Sequence, residues 1–155
     1  MDAFSYQTWF VVRYIHVASA ALLVGGAFAT CGFSLSTAGL SDATAVRAAA
    51  ALYERAFWFI VGLSVATGIS NLGLKGDGLL GPTTSWGIAL SLKLAAVLFL
   101  LLLSLVRSDF IVRSRATPAS NFRRERIVLA MMYGATAALL LAILWTGLGL
   151  AHGRY

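Results

Sequence analysis

The chain sets long apolar blocks between short polar ones, and the length of the blocks is the first clue to its fold. No Asp, Glu, Lys or Arg occurs from Tyr14 to Ser41, from Ala56 to Leu74 or from Ile127 to Gly153. At about 1.5 Å per helical residue, each block is long enough to cross roughly 30 Å of hydrocarbon. A fourth apolar stretch, Ser85 to Val106, is interrupted only by Lys93. Its amine either faces a bundle interior or reaches out to the headgroups. The pattern therefore predicts four membrane helices, near residues 9–35, 52–73, 85–107 and 127–151.

The connections between these blocks are too short for a separate domain, and "GLKGDGLLGPTTSW" (Gly73 to Trp86) has the Gly and Pro punctuation of a turn-rich loop. The reading is a single all-α domain over residues 1–155, an integral membrane four-helix bundle. A cleaved secretory leader fits poorly, because Met1 to Phe10 carries no basic residue and the apolar run that follows is too long.

Charge sets the expected orientation. The first and third connections, with their flanks, carry Arg47, Arg55, Arg107, Arg113, Arg115, Arg123, Arg124 and Arg126, whereas the other side has Lys75 and Arg154, with Arg13 near its surface. Basic residues favour the cytoplasmic side. The expectation is that loops 36–51 and 108–126 are cytoplasmic, that both termini are periplasmic, and that the setting is a bacterial inner membrane. The polar cluster of that side is then expected to have no counterpart in the cytoplasmic half.

Composition agrees with this class. The chain is 59% hydrophobic and 12% charged, with mean hydropathy +0.83, outside the range of soluble globular domains. The net charge of +6 sits mostly in Arg107 to Arg126. Those arginines flank two spans and form no nucleic-acid motif, so anionic lipid headgroups are their expected partners. One cysteine, Cys31, excludes an internal disulfide and a cysteine-cluster metal site, and is expected to be a small packing residue. No Ser-His-Asp set, phosphate loop or paired intramembrane carboxylate supports hydrolysis or nucleotide use.

The polar residues inside the apolar blocks gather in one half. His16 lies about two turns into the first helix, Lys93 about two turns into the third, and Thr67, Asn71, Thr146 and His152 belong to the same end. Ionisable groups are costly in lipid and mark a site by default. The helix face that carries His16 continues through Ser19, Ala20, Gly26 and Ala27, small residues that permit either close helix packing or room for a flat cofactor. A purely structural role, in which His16 and Lys93 pin helices through Thr67, Asn71, Thr146 or backbone carbonyls, competes with both.

Imidazole is a ligand for copper, zinc and haem iron. His16 and His152 are candidate ligands of a metal centre: the two axial ligands of a haem b, or part of a copper site. Arg13, Arg154 or Lys93 would receive haem propionates. Copper lacks further soft donors here, since Met131 and Met132 start the fourth helix at the opposite end and Cys31 lies deep toward it.

The segment "RYIHVASAALLVGGAF" resembles the first helix of the copper resistance protein D (CopD) family, "FIVGLSVATGISNL" its second, and "SWGIALSLKLAAVLFLLLLSLVRSDF" its third. The resemblance implies an inner-membrane protein of copper handling, with His16, Gly25, Gly26, Thr67, Gly68 and Lys93 at the matching positions. A first-helix histidine and a third-helix lysine are also similar in placement to HemJ, a four-helix protoporphyrinogen oxidase family. Three readings follow: a copper-handling protein, a haem-binding redox protein acting as electron carrier or porphyrin oxidase, and a cofactor-free accessory subunit of a larger membrane complex. Either metal reading implies a periplasmic metal or electron carrier as partner.

Overall fold

Runs of Ala, Leu and Val without internal proline extend as helix well beyond the charge-free blocks. The computed structural model describes residues 3–36, 43–74, 81, 83–114 and 122–151. These form four helices: α1 (Ala3–Ser36), α2 (Ala43–Leu74), α3 (Ser85–Ser114) and α4 (Phe122–Ala151). Both prolines, Pro82 and Pro118, fall between helices, as expected for a residue that breaks the helical hydrogen-bond ladder. Thr84 caps α3 by accepting a hydrogen bond from the Gly87 amide at 3.1 Å.

All four helices are long and apolar enough to cross a membrane, the architecture of a multi-pass membrane protein. The sorting of side chains fits that solvent. Leu22, Leu92, Phe99 and Trp145 point outward, while Ser34, Ser104, Arg107 and Thr136 are fully buried. Interior hydroxyls return to their own helices, as in Thr30 to the Gly26 carbonyl and Ser104 to the Leu100 carbonyl, both at 2.8 Å. Backbone and side chain thus satisfy each other without water.

The expected helix limits need one correction. α1 begins at Ala3 rather than near 9, α2 at Ala43 rather than near 52 and α4 at Phe122 rather than 127, and α3 runs to Ser114 rather than 107. Arg47, Arg113, Arg123, Arg124 and Arg126 are therefore helical residues and not loop residues. A charge ends the stretch that can lie in hydrocarbon, but "ATAVRAAAALYERA" is rich in the strongest helix formers and keeps winding beyond it.

Neighbouring helices run antiparallel. α1 packs along α2 and α4, α4 also packs on α3, and α2 and α3 make the loosest of these four neighbouring contacts. The apolar core, with Leu23, Phe57, Leu100, Leu129 and Tyr133, is concentrated in the middle and in the half where α2 begins and α3 ends. Gly26 brings α1 and α2 together there: a Cβ at this position would lie 2.6 Å from Cε2 of Tyr53. The Tyr53 hydroxyl donates to the Leu23 carbonyl at 3.0 Å and fixes the ring.

Candidate functional site

His16 reaches α2 from the first half of α1. Its ring is half-buried, and Nδ1 lies 2.9 Å from the carbonyl oxygen of Ser64 and 3.2 Å from Oγ1 of Thr67. A carbonyl can only accept, so Nδ1 carries the proton and donates it. The Thr67 hydroxyl gives its own hydrogen to the Leu63 carbonyl at 2.8 Å and presents a lone pair to the imidazole. Nε2 then holds an in-plane lone pair, and among the described residues no hydrogen bond reaches it. Clamping one ring nitrogen on a backbone carbonyl is how metal-ligating histidines are oriented and held in one tautomer.

A glycine makes this contact possible. A Cβ on Gly68 would stand 3.3 Å from Cε1 of His16, tighter than ordinary packing. With hydrogen there instead, the imidazole lies directly on the α2 backbone.

Lys93 enters the same half from α3 and turns inward. Its Nζ is 3.0 Å from the place a Cβ would take on Gly147 of α4, so the missing side chain of Gly147 is filled by the ammonium. Lys93 is half-buried. Of the two positions open to this amine, the structure has the interior one.

The other expected members do not converge on His16. Thr146 donates to the Ile143 carbonyl at 2.9 Å within its own helix. Asn71 is half-buried and makes no hydrogen bond to the group among the described residues. Arg13 is exposed and lies over Trp9, its Cζ 5.1 Å from a ring centroid. His152 lies outside the described residues, as do Met1, Lys75 and Arg154. Among the described residues, no group of three or more His, Cys, Asp or Glu side chains could hold a metal ion.

The small face of α1 serves packing. Ser19 and Ala27 are buried, Ala20 is half-buried, and the space above Gly26 is taken by Tyr53. Cys31, as expected, packs between helices, with Sγ 3.3 Å from the Ala130 carbonyl on α4.

The opposite half holds a polar cluster that overturns one expectation. Arg107 is fully buried rather than marking the end of a span. Its Nε donates to Oε1 of Glu54 at 2.5 Å, and its other nitrogens reach Thr136 Oγ1 and Ser104 Oγ, the latter at 3.3 Å. Glu54 also accepts from the Tyr133 hydroxyl at 3.0 Å and from Ser108 at 2.6 Å. Phe57, Tyr133 and Tyr53 surround the guanidinium at 4.7, 5.0 and 5.3 Å from their centroids, a cation enclosed by aromatic rings. Every polar atom here has a partner, and the set joins α2, α3 and α4, so its chemistry is cohesion. An acid two residues before the second apolar block, and an arginine directly after the third helix's apolar stretch on an antiparallel neighbour, were the available signal.

No family model matches the chain, and neither does any curated protein or solved structure.

Proposed function

We propose that this bundle is a membrane redox protein that holds a haem b on His16, at the end where α1 begins. The observation that carries the reading is the Nδ1–H of His16 bound to the Ser64 carbonyl, which leaves Nε2 as a fixed ligand. One imidazole would suffice to hold a haem iron, since the porphyrin brings four nitrogen donors of its own. Lys93, a second cation inside the same half, suits a propionate carboxylate. When bound, the haem would supply one-electron chemistry. The chain's own contribution is to orient the imidazole, hold its tautomer through Ser64 and Thr67, and place a positive charge beside the site.

Copper handling, implied by the CopD resemblance, is the second reading. It uses the same His16 lone pair, but a copper ion needs further nitrogen or sulfur donors. Lys93 would also oppose a second cation nearby. His152, expected from the sequence at the same end and outside the described residues, is the candidate for an additional ligand in either case.

The arginine distribution supports a cytoplasmic position for the end that carries Arg47, Arg113 and Arg123. His16 and both termini would then face the periplasm of a bacterial inner membrane, where an electron or metal carrier, or a larger membrane complex, would meet them.

Absorption spectra of the detergent-purified protein, oxidised and dithionite-reduced, with copper analysis of the same sample, test the proposal. A Soret band that disappears in His16→Ala is the expected result. A colourless protein with stoichiometric copper would replace haem by copper, and a colourless, copper-free protein would leave the accessory role.

A further inference from the structure

The far end of α2 carries a feature that neither the ion pair nor His16 uses. Thr44, Arg47, Ala48, Ala51, Leu52 and Arg55 line an open groove of about 490 Å³ along one face of the helix. Between its two arginines the helix face carries only the small side chains of Ala48 and Ala51 beside Leu52.

The charges in this groove are unequal. Arg47 grips Glu125 of α4 through two hydrogen bonds, Nε to Oε1 at 2.9 Å and Nη2 to Oε2 at 2.5 Å. That pair is neutral overall and fixes one wall. Arg55 is exposed, and among the described residues no carboxylate pairs with it. An exposed guanidinium in that position is open to an anion from outside the chain.

Depth identifies which anion. The charge-free block that follows Arg55, Ala56 to Leu74, spans about 28 Å as helix, close to the roughly 30 Å thickness of hydrocarbon. Arg55 therefore stands at the hydrocarbon boundary, where lipid phosphates lie. Arg47, eight residues earlier on the same face, is about 12 Å farther out, at headgroup level.

We propose that this groove binds the headgroup of an anionic phospholipid, with the phosphodiester on Arg55 and the headgroup lying over Ala48 and Ala51 toward Thr44 and Arg47. Guanidinium presents a planar fork of donors that matches phosphate oxygens. The small floor admits a headgroup that larger side chains would exclude. Exposed Leu52 continues the groove on its apolar side.

The test titrates the full chain in neutral detergent with phosphatidylglycerol, with phosphatidylcholine of the same acyl chains, and with inorganic phosphate, following binding by native mass spectrometry and the thermal unfolding midpoint. Saturable binding and a raised midpoint are expected for phosphatidylglycerol alone. Arg55→Gln should weaken that binding about fivefold, the factor for one basic residue at an anionic surface. Arg113→Gln, at the same end but paired with Asp109, should leave it within about twofold. Unchanged affinity in Arg55→Gln, an equal loss in Arg113→Gln, or binding of phosphate as tight as that of the lipid would each overturn the proposal.

Discussion

Arg107 on α3 donates to Glu54 on α2 at 2.5 Å, and the pair sits in the half of the bundle where charge was expected only at the ends of the helices. The contact ties together α2 and α3, the most loosely packed of the four neighbouring pairs. Its partners on α4, Tyr133 and Thr136, make it a three-helix joint.

Removing one partner should therefore be severe. Arg107→Leu leaves the Glu54 carboxylate buried without its cation, and a loss of about 3–5 kcal/mol is expected for a broken buried pair. Denaturant unfolding in detergent measures it. The double change Glu54→Leu with Arg107→Leu should recover much of that loss, because apolar side chains replace both charges. A double variant no more stable than Arg107→Leu alone would contradict this account.

Gly26→Ala should be destabilising by about 1–3 kcal/mol, the usual range for overpacking. The new methyl would meet the Tyr53 ring at 2.6 Å, and that ring is held by its hydroxyl on the Leu23 carbonyl. Gly25→Ala is the control, since nothing lies within 4 Å of a Cβ there. Thermal scans of the two variants side by side would reveal whether helix contact or helix propensity dominates.

At the His16 end, Gly68→Val should displace the imidazole from α2 and lower haem occupancy at least severalfold while the bundle remains folded. Thr67→Val should do less, because the hydrogen bond to Ser64 persists. The ratio of Soret to protein absorbance reads both. Equal, undiminished occupancy in wild type and Gly68→Val would remove the α2 backbone from the ligand's support.

Lys93→Met retains the apolar stem and deletes the charge. Reduced cofactor binding with an unchanged unfolding midpoint is the expected pair of results. If occupancy held while stability fell, the ammonium would be serving the α3–α4 contact at Gly147 instead.

The four helices were legible because a span must remove charge over its whole length, so the blocks beginning at Tyr14, Ala56 and Ile127 stand out in the sequence. The gathering of His16, Thr67 and Lys93 in one half was legible for the same reason, since depth along a span is a matter of counting. Which groups touch was not. Thr67 meets His16 and Thr146 does not, a distinction set by the rotation of each helix about its axis. The pairing of Glu54 with Arg107 was not legible because each stands beside a block edge, where a charge is ordinary. Only the lengthening of α2 and α3 past those edges encloses them.

The joint at Glu54 and Arg107 also bears on how the chain is made. Glu54 is synthesised well before Arg107, and Tyr133 follows later still. Until they arrive, a carboxylate one residue before the hydrocarbon boundary is best left in water. Glu54 finds its buried partners only where α3 and α4 lie against α2, since Arg107 stands on α3 and Tyr133 on α4. The ion pair is therefore a property of the assembled bundle and of no helix taken alone.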